Sequence, residues 1–303
     1  MWKYILKRIG LAIVTVFIIT TITFFAMNAI PGGPFEKEKA PDPAVRAALE
    51  ARFHLDKPVG EQYLYYLEDM FKGDFGISLK SGRDIAQTIS ESFAISAKLG
   101  GAAALVALAF GLFFGAAAAL TRNGVLDRTI IFSTTLFVSV PSFVLATILL
   151  LVFCLKLGWF PVFSIETQSY FLPIVALALY PMSYITRLTK SSMLDVLGQD
   201  YIRTARAKGL SENKVIYKHA LKNALIPVIT YMGPMVAYIL TGSLVVETVF
   251  TIGGLGAKFV TGITNRDYPM IMATTIFLSV LMVIATLISD LIYKVVDPKI
   301  TFE

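Results

Sequence analysis

The chain has 303 residues, of which 56% are hydrophobic and only 16% are charged, and its mean hydropathy is +0.69. Soluble domains are about 45–50% apolar and about 25% charged, so this composition indicates a membrane protein. A single cysteine, Cys154, and two distant histidines argue against a disulfide framework or a metal cage. The net charge of +6 is compatible with nucleic-acid binding, but most interior basic residues flank apolar segments. Membrane orientation explains them more simply, and no nucleic-acid partner is expected.

Six segments are apolar and long enough to cross a bilayer as helices, which requires about 20 residues each. They cover approximately residues 9–30, 96–120, 130–156, 170–189, 226–249 and 270–293. The sequence therefore predicts an all-α membrane protein with six transmembrane helices. A cleaved signal peptide is the alternative for the first segment, because three basic residues precede it. Its apolar stretch exceeds the signal core of about 7–15 residues and lacks an A-x-A site, so a retained helix is expected.

Basic residues are distributed unevenly between the short loops on the two sides of these spans. One side carries fifteen lysines and arginines, and the other carries three, Lys156, Lys258 and Arg266. Because positively charged loops remain in the cytoplasm, both termini are expected there. The predicted parts are residues 1–30 with the N-terminus and first span, an extracytoplasmic helical loop at 31–95, and a five-span core at 96–303 with a cytoplasmic loop at about 190–225.

The extracytoplasmic loop carries the pattern of two short helices. Asp42-Pro43 predicts the start of the first helix, and Val45, Leu49 and Phe53 follow at helical spacing. The second helix is expected to end at Gly73. Its apolar residues are Leu64, Leu67, Met70 and Phe71. We expect these helices to pack onto the membrane bundle, and direct contact with a substrate is the alternative.

Small residues recur every four positions along the second predicted span. They are Ala103, Ala107, Gly111, Gly115 and Ala119. Small side chains allow another helix backbone to approach closely, which is how membrane helices associate. The stripe therefore predicts a tight helix–helix contact.

Prolines, glycines and hydroxyl groups interrupt three of the later spans. A proline inside a helix frees a backbone carbonyl, and nearby hydroxyls can satisfy exposed backbone groups. Such irregular spans are typical of a gated polar pathway, although proline is also common in membrane helices for structural reasons. The candidates to line a pathway are Ser139, Pro141, Ser142, Tyr180, Tyr231 and Gly233.

The cytoplasmic loop at 190–225 predicts a helix, a sharp turn and a second helix. The first helix has an apolar face of Leu194, Leu197, Tyr201 and Ala205. Gly209 can supply the left-handed position after this helix, with Leu210 behind it, and Ser211 can cap the next helix. The second helix is expected to carry a basic stripe of Lys214, Lys218 and Lys222 opposite Ile216, Ala220 and Ala224. Anionic lipid headgroups are the simplest partner for that stripe.

This loop resembles the cytoplasmic coupling loop of binding-protein-dependent ABC transporter permeases, in which a helix-turn-helix docks into a groove on an ATPase subunit. Ala205 and Gly209 match the family pattern E-A-A, three residues and G, and Leu221 matches the leucine of the following I-x-L-P. Arg203, Thr204, His219 and Lys222 depart from that pattern in the manner of the peptide and nickel branch, whose usual form is RTARAKGL followed by HALKNALIP. The resemblance implies ATPase-coupling roles for Arg203, Thr204, Ala205, Arg206, Ala207, Lys208, Gly209 and Leu210.

Further motifs extend the resemblance over nearly the whole chain. They are IPGGPF, GDFGIS, GSLVVETVF, GGLGAKFV, NRDYP and the terminal DPKI. The length and the outer loop are most similar to the B-type subunit of oligopeptide permeases. Dipeptides, nickel chelates and glutathione remain alternative cargoes within the same family.

The resemblance implies a multi-pass subunit of a prokaryotic cell-membrane importer that forms half of the translocation pathway. Its expected partners are a second homologous permease, two cytosolic ATPases, an extracytoplasmic peptide-binding protein and the lipid membrane. ATP and Mg²⁺ would bind the ATPases, since this chain has no phosphate-binding G-x-x-x-x-G-K-[ST] loop. Neither H-E-x-x-H nor G-x-S-x-G occurs, so no catalytic residue, metal or cofactor is expected here. A passive channel is the remote alternative, and it would not need the cytoplasmic helix-turn-helix.

Overall fold

The structure, a computed structural model, describes residues 2–30, 48 and 50–296. Its principal helices are α1 (Trp2–Ala29), α2 (Val59–Lys72), α3 (Ile85–Leu120), α4 (Val125–Ser139), α5 (Ser142–Lys156), α6 (Phe171–Leu197), α7 (Asp200–Ala207), α8 (Glu212–Val249), α9 (Leu255–Asn265) and α10 (Tyr268–Val296). Two segments within them, Leu150–Lys156 and Val215–Leu221, are wound as wider π-helical turns. The described chain contains no β-strand beyond one isolated bridge, Ile77–Asp84, which confirms the predicted all-α class.

Five helices, α1, α3, α6, α8 and α10, are long and apolar enough to cross a membrane. The predicted third span, 130–156, is not one bent helix but two separate helices, α4 and α5. The helix axis changes direction by 104° at the break between them. Val140 between them is extended, with φ −92° and ψ 127°, and Pro141 begins α5. A proline disfavours helical backbone in the residue before it, which explains a sharper break than the sequence prediction of a bend. Counted as one broken span, this pair completes the six predicted spans.

The chain divides into two compact units, one comprising Met1–Ser96 with Gly253–Val283 and the other Ala97–Ile252 with Ile284–Glu303. The first unit has an apolar core of Ile85, Ile89, Leu255, Met270 and Ala273. Beside this core, the buried Asp267 carboxylate accepts hydrogen bonds from the Ser78 hydroxyl (2.5 Å) and the Leu79 N–H (3.1 Å). These bonds join the GDFGIS and NRDYP motifs, which are far apart in sequence, and give both a structural role.

The loop that precedes α3 is held by a second carboxylate. Asp74 accepts a hydrogen bond from the Gly76 N–H (2.9 Å) and an ion-paired bond from Arg52 (2.7 Å). Both interactions favour the ionised carboxylate, so they lower the pKa of Asp74 below its usual value. The loop geometry is therefore maintained at neutral pH.

The outer helix α2 ends at Gly73 as predicted, with φ +76° and bonds back to Asp69 and Met70. Its packing face differs from the predicted one, because Leu64 and Phe71 are exposed and no residue of α2 is fully buried. Aromatic contacts hold the helix instead. Tyr63 and Tyr66 lie 5.2 and 5.7 Å from the Phe24 ring of α1. Of the predicted preceding helix, Asp42, Pro43, Val45 and Leu49 lie outside the described residues.

Candidate coupling site and translocation pathway

The turn between α7 and α8 is closed by a glycine in the left-handed region. Gly209 has φ +74°, and its N–H donates to the Arg206 carbonyl (2.9 Å) while the Leu210 N–H donates to the Ala205 carbonyl (3.3 Å). These two bonds satisfy carbonyls at the end of α7 and define a Schellman motif. Gly209 thus occupies the conformation that the sequence predicted. We call residues 200–214, from the start of α7 to the first turn of α8, the elbow.

The second helix of the elbow begins at Ser211. Its carbonyl accepts the Val215 N–H (3.0 Å), but its hydroxyl makes no capping hydrogen bond, so only the position of the predicted cap is correct. A charged pair spans the turn instead. The Arg206 guanidinium donates from Nε to one Glu212 oxygen (2.8 Å) and from Nη2 to the other (3.4 Å). This fork-like contact ties the end of α7 to the start of α8.

A buried apolar cluster packs against one face of the elbow. Its buried members are Ala119, Met193, Ile202, Ala205, Val215, Ala220 and Ala224. Leu210 packs against this cluster, while Ile202 and Val215 are completely buried. Ile202, Met193 and Val215 were not predicted to anchor the elbow. The burial of Ile202 could have been predicted from its spacing, since Ile202 and Ala205 are three residues apart and share a helical face.

The other face of the elbow is open to the surroundings. Of the predicted coupling residues, Ala205 is buried and Leu210 is half-buried. The exposed ones are Arg203, Thr204, Arg206, Ala207, Lys208 and Gly209. The elbow therefore has one exposed face that is rich in basic residues and another face that packs on the buried apolar cluster.

The predicted first helix of the loop is two helices. Leu194 and Leu197 belong to α6, whereas Tyr201 and Ala205 belong to α7. Between them, Gln199 is extended, with φ −77° and ψ 151°. A single apolar face across all four residues was therefore a wrong prediction, because glycine at position 198 weakens the helix and the extended residue redirects the chain. As a result, α7 can point differently from α6.

The three lysines at the start of α8 are exposed, whereas Ala220 and Ala224 opposite them are buried. The predicted second helix is not a separate element. It is the first part of α8, which continues without a break into the predicted fifth span. A displacement of the elbow would therefore be transmitted along one helix into the membrane.

A partly buried ion pair, which was not predicted, joins the start of α4 to α6. Lys190 Nζ lies 2.5 Å from Asp127 Oδ1, and the Asn123 N–H donates to Oδ2 (3.0 Å). The exposed fractions of the two charged side chains are 21% for Lys190 and 7% for Asp127. Sequence patterning assigned Lys190 only to membrane orientation, because nothing in the sequence indicates a pairing across 63 residues.

Replacing Asp127 with asparagine is expected to destabilise the subunit by about 1–3 kcal/mol, because it leaves the partly buried Lys190 without its charged partner. Thermal unfolding in detergent measures the change. The control is Asp200→Asn, which removes an exposed contact of 3.7 Å to Arg203 and should leave the melting temperature nearly unchanged. Combining Asp127→Asn with Lys190→Met should restore part of the loss. Equal melting of Asp127→Asn and Asp200→Asn would contradict the assignment.

The stripe of small residues on α3 is buried along its whole length and includes Ala103, Ala107 and Ala119. At Gly111, an added Cβ would lie 2.7 Å from Ile185 Cβ, and at Gly115 it would lie 2.5 Å from Thr189 Cβ. Both neighbours belong to α6, so the two glycines allow these helices to touch. No larger residue fits either position without movement of a neighbour.

The predicted pathway residues fall into two groups. Tyr180 and Tyr231 each stack on another tyrosine between α6 and α8, with ring centroids 4.5 Å apart for Tyr180–Tyr238 and 4.2 Å for Tyr184–Tyr231. Ser142, at the start of α5, shares a hydrogen bond with the Tyr238 hydroxyl. These residues therefore cluster where α5, α6 and α8 contact one another. Tyr184 and Tyr238 were not predicted, although each lies on the same helix as a predicted tyrosine.

The remaining candidates have more local roles in the structure. Pro141 is exposed at the break between α4 and α5, and the Ser139 hydroxyl donates to the Thr135 carbonyl (2.8 Å). Gly233 is buried against Ser289, where any side chain would collide. Among the described residues, no three His, Cys, Asp or Glu side chains come together to hold a metal ion.

Helices apolar and long enough to cross a membrane, together with an exposed basic elbow, indicate a membrane subunit of a transporter. Two family models match the chain. One describes the inner membrane component of binding-protein-dependent transport systems and matches residues 111–302, and the other describes the N-terminal part of such membrane components and matches residues 1–100. The chain belongs to this family of permeases, and it is a multi-pass membrane protein.

Full-length relatives agree with this membership. The chain is 47% identical over 302 residues to the dipeptide transport system permease protein DppB of Bacillus subtilis, covering 99% of this chain and 98% of the relative. It is 43% identical over 306 residues to the oligopeptide transport system permease protein OppB of Salmonella typhimurium, and 42% identical to OppB of Haemophilus influenzae, with complete coverage in both cases.

Solved structures share the fold at low sequence identity. The inward-facing MetNI methionine ABC transporter matches with a TM-score of 0.59 and 18% identity over 70% of this chain and 97% of the solved one. An amino acid ABC transporter crystallised with histidines matches with a TM-score of 0.55 and 15% identity over 69% and 94%. The helical core therefore has the fold of ABC transporter membrane subunits.

Proposed function

We propose that this chain is the permease subunit of an ATP-driven importer of peptides and forms half of its translocation pathway. The names of its full-length relatives, which are dipeptide and oligopeptide permeases, support peptide as the cargo. The observation that carries the mechanism is the elbow, which is exposed and basic on one face and anchored by buried apolar residues on the other.

The elbow would transmit work from an ATPase into the membrane. The chain has no phosphate-binding loop of its own, so ATP and Mg²⁺ would bind cytosolic ATPase partners. Closure of two such ATPases would displace α7 and the first turns of α8 as a rigid body. Because α8 continues into the fifth span, the bundle would then rock between inward-open and outward-open states.

The remaining partners follow from the same proposal. A second, homologous permease would supply the other half of the pathway, and an extracytoplasmic binding protein would deliver the peptide. The chain would lie in the prokaryotic cell membrane with both termini and the elbow in the cytoplasm, as the distribution of basic residues indicates. Ser139, Pro141, Ser142, Tyr180, Tyr231 and Gly233 are the proposed pathway residues of this half, with Gly233 acting through its close packing against Ser289.

Dipeptides and oligopeptides are both represented among the relatives, and nickel chelates and glutathione are the alternative cargoes within the family. Cargo choice is expected to lie largely with the binding protein. The relative affinity of the purified binding protein for these ligands therefore decides among them.

The decisive experiment reconstitutes this subunit into liposomes with its second permease, both ATPases and the binding protein. Radiolabelled peptide should accumulate only with ATP and the binding protein present, and a non-hydrolysable ATP analogue should prevent accumulation. Affinity purification of this subunit should also recover the ATPases and the second permease. Peptide entry at an undiminished rate without ATP, from a stable oligomer of this chain alone, would refute the proposal in favour of a passive channel.

A further inference from the structure

Four tyrosines form two stacked pairs between α6 and α8, and we call them the tyrosine ladder: Tyr180, Tyr184, Tyr231 and Tyr238. Tyrosines of membrane proteins are usually concentrated at the two membrane–water interfaces, where the hydroxyl reaches water. The ladder lies elsewhere. Tyr180 and Tyr238 lie near the middle of the predicted fourth and fifth spans, 170–189 and 226–249, and Tyr184 and Tyr231 lie about one and a half helical turns inside the cytoplasmic ends of those spans. This position requires a polar neighbour for the hydroxyl groups.

The hydroxyl groups of the ladder are largely available to such a neighbour. Tyr238 shares a hydrogen bond with Ser142, but those of Tyr180, Tyr184 and Tyr231 make no hydrogen bond with any described residue. Their side chains are not enclosed, and Tyr184 is 43% exposed. Lipid chains offer no hydrogen-bond partner, so accessible hydroxyls at this depth are costly if they face lipid. The same hydroxyl groups find hydrogen-bond partners if they face a polar pathway.

The backbone beside the ladder provides acceptors as well. Pro181 lies between the two tyrosines of α6, and Pro234 lies between the two tyrosines of α8. A proline has no N–H, so the carbonyls four residues earlier, at Leu177 and Thr230, lose their usual helical donor. The same region of two apolar helices thus combines hydroxyl donors, carbonyl acceptors and flat aromatic faces.

We propose that the tyrosine ladder is a peptide-contact strip in the translocation pathway, an inference that rests on the proposed function. Peptide planes would stack on the tyrosine rings, while the hydroxyls donate to peptide carbonyls and accept from peptide N–H groups. Because every peptide carries these groups, the contact is independent of side chains. Tyr180 and Tyr184 are four residues apart, about 6 Å along the helix. An extended peptide of two residues covers that distance at about 3.3 Å per residue, so even a dipeptide can contact both tyrosines.

Photo-crosslinking in the complete reconstituted assembly tests which molecule contacts the ladder. Benzoylphenylalanine is placed at position 184 or 231, and the probe is radiolabelled trialanine under transport conditions. The control position is 113 on α3, where Phe113 is 65% exposed. We expect peptide adducts at 184 and 231, reduced by unlabelled peptides of unrelated sequence, and none at 113. Adducts formed only with lipid, or only with the second permease, would overturn the proposal.

Conservative variants test the hydroxyls separately. Tyr184→Phe and Tyr231→Phe keep the stacked ring and should raise the KM for peptide uptake about three- to tenfold each, the effect of one lost hydrogen bond. An unchanged KM in both variants would refute the hydroxyl contact. Uptake by the unmodified assembly tests the proposed function independently, so intact ATP-driven uptake without peptide adducts refutes the ladder alone.

Discussion

Replacing Gly209 with valine is expected to lower ATP-driven peptide uptake strongly while leaving the subunit in the membrane. The elbow requires φ +74° at this position, and a β-branched residue is strongly disfavoured there. A cost of about 1–2 kcal/mol would depopulate the closed turn about five- to thirtyfold. No atom lies within 4 Å of the position that a Cβ would occupy, so the effect is conformational and not steric. Uptake and ATP hydrolysis are measured together in proteoliposomes.

Gly209→Asn provides the matched control, because asparagine tolerates the left-handed region better than other non-glycine residues. It should retain much of the uptake that valine loses. The ATPases should continue to hydrolyse ATP in the valine variant, with hydrolysis uncoupled from transport. Normal uptake by Gly209→Val would show that the turn is not the element that transmits work.

Gly115→Ala is expected to lower the stability of the subunit by about 1–3 kcal/mol through overpacking between α3 and α6. The added Cβ would lie 2.5 Å from Thr189 Cβ and 2.7 Å from the Thr186 carbonyl oxygen. The second neighbour is backbone and cannot move without displacing α6. Thermal unfolding in detergent and the yield of folded subunit measure the effect.

The control for this substitution lies on the same helix. Gly101→Ala adds a Cβ with no atom within 4 Å, and alanine is a better helix former than glycine, so stability should be unchanged or slightly higher. If both variants unfold at the same temperature, the stripe does not form a tight helix contact.

Hydrophobic patterning was sufficient to predict the spans, because a helix in lipid must satisfy its backbone internally and expose apolar side chains over a fixed length. The left-handed turn at Gly209 was equally predictable, since few residues other than glycine adopt that conformation readily. The spacing of the small residues from Ala103 to Ala119 likewise predicted that they form a tight helix–helix contact. These features depend on local chemistry, which a single sequence records directly.

Other predictions failed where a local pattern allowed more than one geometry. Proline at position 141 indicated a bend, but the 104° angle between α4 and α5 depends on how the extended Val140 is held. Leu197 and Tyr201 matched one helical face, yet the extended Gln199 separates α6 from α7. Periodicity cannot detect such a break, because the apolar residues on both sides retain helical spacing.

Composition, span length and the order of motifs were enough to assign the chain to its class, a permease with six predicted spans and a basic elbow that turns at a glycine. The contacts between distant groups became visible only in the folded chain: Asp127 with Lys190, Ser78 with Asp267, and the tyrosines of α6 with those of α8. A pairing between helices depends on how each helix is rotated about its axis and on how far one is shifted along the other. The rotation and the axial position of each helix are set by its packing against its neighbours, and the periodicity of the sequence does not reveal them.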